Sequence, residues 1–185
     1  ILDLSHASHQ TARNVLRICR ERKLNLPIMA SHGGCYDVYR HDRNLLDDIL
    51  RGIADAGGVV GIATTTFFLD SYDDTLRPFG RHLPHAINVC GEDAVTIGGD
   101  GPYLMQDPDA ARKQFESMKE KLDPDGSFGA RFPDHPLVLN TPRRMEVITE
   151  YARNGLHVPL RVVEKIVGAN FRWFLRGSGV LDPSE

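Results

Sequence analysis

The sequence lacks several features that would assign it quickly to a functional class. Its three cysteines, Cys19, Cys35 and Cys90, lie far apart and form no C-x-x-C pair, so neither a disulfide framework nor a zinc knuckle is indicated. This usage favours a reducing, cytoplasmic compartment. The longest apolar run, near Val59 to Ala63, has the length of a strand. A membrane helix needs roughly 20 apolar residues, so no membrane segment is predicted in this chain.

Charge and glycine patterns argue against two further classes of partner. The net charge is -3 and no block of basic residues stands out, so no nucleic-acid partner is predicted. Neither G-x-G-x-x-G nor G-x-x-x-x-G-K-[ST] follows a predicted strand, so nucleotide binding of those kinds has no support. With 185 residues, 41% hydrophobic and 25% charged, the chain is typical of one globular domain.

What the sequence does contain is an alternation of short apolar strands and amphipathic helices. Strands are predicted at 1–5, 27–31, 59–64 and 94–98, and helices at 8–22, 44–56 and 83–89. This alternation predicts βαβ units and a parallel α/β sheet. Four such units are half of a (β/α)₈ barrel, which typically has about 250 residues. An open, doubly wound sheet is the alternative.

The pattern changes after residue 102. Helices are predicted at 107–121, 142–154, 158–166 and 169–175. Residues 122–141 contain three prolines and two glycines, which predicts a long loop or insertion. The chain opens at Ile1 inside a strand-like run and without Met, so we expect it to be a piece of a longer protein.

Polar side chains follow three of the four predicted strands, namely His6, His32 and Asp100. Because the carboxyl ends of barrel strands meet at one mouth, we expect these side chains to converge. Imidazole suits zinc and similar ions, and a carboxylate can bind metal or transfer a proton. A lone histidine in this position is usually a hydrogen-bonding residue. Two histidines with an acid leave the metal site and the structural role about equally open.

Six short sequence elements span the chain in a fixed order. They are D-L-S-H at 3–6, P-I-M-A-S-H at 27–32, R-N-L-L-D-D at 43–48, G-G-V-V-G-I at 57–62, H-L-P-H at 82–85 with V-T-I-G-G-D at 95–100, and G-A-N-F at 168–171. Each is weak alone. Together they resemble the membrane (renal) dipeptidase family of M19-type metallopeptidases.

The resemblance implies a (β/α)₈ TIM barrel of the metal-dependent hydrolase type, with residues 1–185 as the C-terminal half of that single domain. It implies two metal ions, usually zinc, bridged by a glutamate and a water or hydroxide. The substrates would be dipeptides, including those with a D-residue at the C-terminal position. His6 and His32 would be metal ligands, and Asp100 would be the catalytic acid/base. Arg43 would bind the substrate carboxylate, which its planar fork can grip at two points.

The sequence departs from the family pattern in two places. The family's D-F-D-G reads D-G-P-Y at 100–103, which favours, as an alternative, a related barrel hydrolase acting on another small amide or ester. The initial H-x-D, the bridging glutamate and a further histidine belong to the family's N-terminal half, and no H-x-D occurs in this chain. That missing half is therefore an expected partner, and a homo-oligomer is also compatible with the sequence. A non-catalytic structural barrel module is the alternative from another class.

Three other conspicuous residues are assigned structural roles in preference to ligand roles. His82 and His85 stand three residues apart on a helix that precedes a strand, where histidines usually form hydrogen bonds. Cys35 follows His32 by three residues, and a thiolate ligand there is the less favoured interpretation.

We predict that the isolated 185-residue chain has no dipeptidase activity at any zinc concentration and self-associates or aggregates. A half-barrel exposes two strand edges, which invite pairing with other chains, and the family's bridging carboxylate is not in this sequence. Analytical ultracentrifugation combined with a zinc-supplemented dipeptide assay measures both properties. An active, stable monomer would contradict the half-barrel interpretation.

Overall fold

A parallel sheet positions the candidate site. The computed structural model describes residues 1–101 and 105–182. Its strands are β1 (Leu2–Asp3), β2 (Ile28–Gly33), β3 (Val59–Ile62) and β4 (Val95–Ile97). All three strand pairs are parallel, and the order is β1-β2-β3-β4. A sequential order is that of a barrel wall, whereas a doubly wound sheet reverses its order. The prediction of about four βα units of a TIM barrel is confirmed.

Helices separate the strands and follow the last one. The described helices are α1 (His9–Glu21), α2 (Asp47–Asp55), α3 (Thr66–Leu69), α4 (Arg77–Cys90), α5 (Pro108–Leu122), α6 (Arg144–Glu150), α7 (Leu160–Glu164) and α8 (Asn170–Gly177). Ser8 caps α1 by accepting from the Thr11 N–H, and Asp107 caps α5 in the same way. Such caps satisfy amide groups that the first helical turn leaves without partners. Every helix in the described part of the chain is too short or too polar to cross a bilayer.

The strands and the helices between them share one apolar core. All four residues of β3 are buried, as expected for a parallel strand that is covered on both faces. Helix α2 contributes Ile49, Leu50 and Ile53, and α1 contributes Leu16. Burial of each such side chain stabilises the fold by about 1.5–3 kcal/mol. The core therefore holds the strands in register.

Helix α4 begins at Arg77, six residues before the predicted start at Leu83. Proline inside a helix costs about 3 kcal/mol, and a start at Leu83 would place Pro84 in the first turn, where proline is tolerated. The helix nevertheless includes Pro84, because Phe79 and Leu83 on one face are completely buried. Packing of two large side chains offsets a cost of that size.

The chain outside the βα units differs in detail from its prediction. Helix α3 lies between the strand predicted at 59–64 and the helix predicted at 83–89, where no helix was predicted, and its Phe67 and Phe68 are buried. Helices α6 and α7 each pass into a wider, π-helical turn, where continuous helices were predicted. Residues 123–143 contain only a short 3₁₀ turn, Leu137–Leu139, in agreement with the predicted loop.

His82 is a structural histidine inside the core. Its Nδ1 accepts from the Cys35 N–H at 2.8 Å, and its Nε2 donates to the Leu69 carbonyl at 3.1 Å. Burial lowers the pKa of His82 to about 4, since a proton on Nδ1 would face the Cys35 N–H. The neutral ring therefore fastens α4 to the loop after β2 and to the end of α3.

We predict that His82 makes the protein less stable as the pH falls from about 6.5 toward 4. In that range His82 binds a proton in the unfolded chain but stays neutral in the folded protein. The free energy of unfolding therefore falls by at most about 1.4 kcal/mol per pH unit. Urea unfolding of the wild type and of His82→Asn at pH 7 and pH 5 measures the effect. The variant should be less stable at pH 7 and should lose less stability on acidification. The exposed His157→Asn is the control, and equal pH dependence in wild type and His82→Asn would contradict the prediction.

Candidate active site

Four side chains converge at the carboxyl end of the sheet. The Nε2 atoms of His6 and His32 are 3.2 Å apart. The Nη2 atom of Arg43 is 3.1 Å from His6 Nε2 and 2.9 Å from His32 Nε2. The Asp100 carboxylate lies 3.5 Å from His32 Nε2. The structure thus brings together all four residues that the sequence analysis selected, and the expected approach of the two imidazoles is confirmed.

A bulge in β2 brings His32 toward Asp100. The pairing of β2 with β3 shifts register between Ala30 and Gly33, as happens where a strand carries an extra residue. The displaced Ser31 carbonyl lies so close to Gly61 and Gly98 that a Cβ atom on either would stand 2.1 Å from its oxygen. Only glycine fits there. The glycines of β3 and of the turn after β4 therefore let the end of β2 lean across the sheet.

Hydrogen bonds accepted by Asp3 and Ser5 connect the ends of β1 and β2, where the two histidines lie. Its Oδ1 accepts from the Ser5 hydroxyl at 2.7 Å and from the Ser31 N–H at 3.0 Å. Burial acts to raise the pKa of Asp3, but hydrogen bonds from Ser31 and Ser5 outweigh it and lower the pKa. The Ser5 hydroxyl also lies 3.0 Å from the His32 N–H, and Ser31 Oγ lies 2.9 Å from His32 Nδ1. One carboxylate therefore ties β1, which precedes His6, to the end of β2, which carries His32.

The imidazole pair suits a metal ion. A guanidinium can only donate, so both Nε2 atoms that face Arg43 carry a lone pair and no hydrogen, and their mutual contact is not a hydrogen bond. Burial lowers the pKa of His32, the Asp100 carboxylate opposes this shift, and Arg43 adds to it; a metal ligand must be neutral in the same way. Two nitrogen atoms at about 2.0–2.1 Å from one zinc ion with a tetrahedral angle are about 3.3 Å apart. The observed 3.2 Å between His6 and His32 fits that geometry.

The described residues offer only part of a metal site. Within residues 1–101 and 105–182, no group of three or more His, Cys, Asp and Glu side chains is placed to hold an ion. Zinc sites generally use three or four protein ligands. Cys35 is buried and its pKa is raised by that burial, so its thiol is not available as a ligand. The histidine pair would need further donors from outside these residues.

Arg43 is fixed between the two imidazoles and a ring. Its Nη1 donates to the Ser5 carbonyl at 2.9 Å, and its guanidinium carbon lies 5.1 Å from the centre of the Phe68 ring. A cation over an aromatic face is stabilised by about 0.5–2 kcal/mol. The side chain is therefore held in one orientation, with a positive charge at the mouth of the sheet.

Asp100 lies on a turn whose conformation was not predicted from the sequence. Its backbone is in the left-handed region, with φ of 46°, and its side chain is 44% exposed. The carboxylate borders a recess of about 250 Å³ that also includes Ser31, His32 and Phe171. Pro102 and Tyr103, which depart from the family pattern, lie outside the described residues. A carboxylate so placed can exchange protons both with solvent and with a group bound in the recess.

Several supporting residues were missed by the sequence analysis. Asp3, Ser5 and Ser31 belong to the recognised elements, but nothing in the sequence showed that they bond to one another. The repeated Ser-His pair, at 5–6 and 31–32, was the available signal. His135, whose Nε2 lies 3.1 Å from the Asp100 carbonyl, comes from the predicted loop 122–141 and carries no local signal.

Comparisons with known proteins find relatives in sequence and in fold. An uncharacterized dipeptidase of Schizosaccharomyces pombe is 32% identical over 111 residues, which are 58% of this chain and 26% of that protein. A metallo peptidase from Rhodobacter sphaeroides, solved with a phosphinate mimic of the dipeptide L-Ala-D-Ala, superposes with a TM-score of 0.69 at 23% identity, over 96% of this chain and 42% of that one. An amidohydrolase from Pseudomonas aeruginosa gives a TM-score of 0.67 at 27% identity, over 96% and 52%.

The chain thus spans between about a quarter and a half of the length of these proteins. A sequence profile of the membrane dipeptidase family, peptidase family M19, matches residues 1–113. That match includes His6, His32, Arg43 and Asp100, and it covers more than half of the chain. This chain therefore belongs to the membrane dipeptidase family.

Proposed function

We propose that the complete protein is a zinc-dependent dipeptidase, and that residues 1–185 are the C-terminal half of its single barrel domain. The observation that carries the proposal is the convergence of two imidazole lone pairs, 3.2 Å apart, with one arginine and one carboxylate. A hydrolase of dipeptides needs these three kinds of group: metal ligands, a cation for the terminal carboxylate and a proton carrier. Family membership supports the same assignment.

His6 and His32 would hold one of two zinc ions. The spacing of their Nε2 atoms fits zinc, and so does the lone pair that each of these unprotonated atoms carries. Bound zinc would supply a water of lowered pKa and would polarise the scissile carbonyl. The bridging glutamate and the remaining ligands would come from the part of the protein outside this chain. Asp3, through Ser31, would orient His32, in the manner of carboxylates that support metal-binding histidines.

Arg43 would bind the C-terminal carboxylate of the dipeptide. Its guanidinium donates to two imidazole nitrogens and to the Ser5 carbonyl, so its other donors remain for a ligand. A metal ion at the two imidazoles would require Arg43 to give up those contacts, which releases its donors for the substrate. A carboxylate is the planar, two-pronged acceptor that matches them.

Asp100 would carry the proton from the attacking water to the leaving amine. Its carboxylate faces His32 Nε2 at 3.5 Å and remains partly exposed, so it borders both the proposed metal position and the recess. A single carboxylate can accept the proton in one step and return it in the next.

One observation favours a second candidate function. The sequence D-G-P-Y at 100–103 lacks the second acid and the phenylalanine of the family pattern. These residues follow Asp100 directly, so the substrate can differ while the hydrolytic chemistry is kept. A related hydrolase of another small amide or ester is therefore the alternative activity, and a non-catalytic barrel module is the alternative without activity.

Metal analysis and a substrate panel on the full-length protein separate these candidates. We expect about two zinc ions per chain and hydrolysis of free dipeptides, with C-terminally amidated dipeptides cleaved poorly because they offer Arg43 no carboxylate. Two zinc ions with activity only on amides or esters would favour the alternative hydrolase. Absence of bound metal and of activity would favour the structural module.

We predict that Arg43→Lys in the full-length protein raises KM for dipeptides and lowers kcat/KM by about 10- to 100-fold. A point charge cannot reproduce a two-pronged contact, and one hydrogen bond to a charged group contributes about 1.5–3 kcal/mol. Steady-state kinetics and thermal unfolding measure activity and stability separately. Arg20→Lys, at an exposed position of α1, is the matched control. An unchanged kcat/KM would remove Arg43 from the substrate site.

We predict that Asp100→Asn lowers kcat by about 10²–10⁴-fold, the usual contribution of a general acid/base. Zinc content should persist, because the proposal places the carboxylate as a proton carrier. Stopped assays and metal analysis of the same preparations provide both readouts. Asp93→Asn, which removes an exposed carboxylate paired with Lys165, is the control. Loss of zinc from Asp100→Asn would show that Asp100 is a principal ligand instead.

A further inference from the structure

One side chain of the loop 122–141 reaches the turn that carries Asp100. His135 Nε2 lies 3.1 Å from the Asp100 carbonyl oxygen, and His135 Nδ1 lies 3.0 Å from the Thr64 hydroxyl. The same hydroxyl lies 2.9 Å from the Gly99 carbonyl. The imidazole and the hydroxyl together therefore contact two consecutive carbonyl groups of the turn after β4.

The direction of these hydrogen bonds follows from the groups involved. A carbonyl can only accept, so His135 Nε2 carries the hydrogen that reaches Asp100. Only 12% of the His135 side chain is exposed, and this burial lowers the pKa of His135. A neutral ring with its hydrogen on Nε2 offers a lone pair at Nδ1, and the single hydrogen of the Thr64 hydroxyl is shared between that lone pair and the Gly99 carbonyl. His135 thus acts as a neutral bridge between the end of β3 and the Asp100 turn.

The Asp100 turn needs such a restraint. A non-glycine residue in the left-handed region is disfavoured by roughly 1–2 kcal/mol, and Asp100 has φ of 46°. Gly99 and Gly101 flank it, so neighbouring side chains do not fix the backbone. A Cβ atom on Gly101 would lie 2.8 Å from His135 Nε2, so the ring packs directly on this turn.

The loop segment that carries His135 is itself anchored. The Thr66 hydroxyl donates to the Pro133 carbonyl at 2.6 Å, and the Thr66 N–H donates to the Asp134 carbonyl at 2.8 Å. Residues 133–135 therefore run beside residues 64–66, which lead from β3 into α3. The ring is held on one side by this contact and on the other by the turn.

We propose that His135, with Thr64, is a positioning residue that fixes the Asp100 turn so that its carboxylate faces His32. His135 lies beyond residues 1–113, which the family profile matches. The kinetic consequence of this inference rests on the proposed function of Asp100. A displacement of about 1 Å at a reacting group can reduce the rate by about 10²-fold, so loss of the bridge should lower kcat with little change in KM.

Variants of the full-length, zinc-loaded protein test the bridge. His135→Phe keeps the ring size and removes both nitrogen atoms, and Thr64→Val removes only the hydroxyl. We expect each to lower kcat for dipeptides by about 10- to 100-fold with KM within about threefold. The double variant should be little worse than either single variant, because both act through one turn. Thr64→Ser restores the hydroxyl and should recover most of the lost kcat, and the exposed His157→Asn is the control.

Hydrogen–deuterium exchange provides a second readout that does not depend on activity. We expect faster exchange in residues 96–101 of His135→Phe and Thr64→Val than in the wild type, with exchange in β1 and β2 unchanged. Wild-type kcat in His135→Phe would overturn the proposal, as would full additivity of the two substitutions. If the wild-type protein cleaves no dipeptide, the proposed function fails, and exchange alone then decides the restraint: faster exchange supports it and unchanged exchange overturns it.

Discussion

The close approach of the end of β2 to β3 and to the turn after β4 is the constraint on which the site depends. The Ser31 carbonyl occupies space that a side chain at Gly61 or Gly98 would fill. Because those positions are glycine, the bulged end of β2 can lean over β3. This brings His32 close to Asp100, which follows β4. Without that approach, the histidines and the carboxylate would each stand at a strand end, with no common mouth.

Hydrogen bonds between polar groups then fix the orientation of the side chains at the site. Asp3 gathers hydrogen bonds from both strands, and the serine hydroxyls orient the His32 ring. The arrangement costs the desolvation of one carboxylate, which its several donors offset. The lone pairs of His6 and His32 consequently point at one place, where Arg43 now donates to them. Fold and site share the same residues, since Asp3 belongs to β1 and Ser31 to β2.

The incompleteness of the donor set matches the length of the chain. Two imidazoles fit zinc in spacing, but the described residues add no third ligand around them. The relatives extend well beyond the matched region, and under the proposed function the remaining ligands would come from the rest of the protein. The Asp100 turn, in contrast, has a supporting residue within this chain, because the loop 122–141 supplies His135 to it.

The sequence by itself determined the sheet, most of the helices and the four side chains at the mouth. The alternation of strands and helices and the fixed order of six elements are patterns that can be read along a chain. The sequence did not determine the start of α4, where buried packing overrode Pro84. Nor did it reveal the Asp3 network or the contact of His135, which joins residues 35 apart. Such contacts depend on where distant segments meet, and only the tertiary structure decides that.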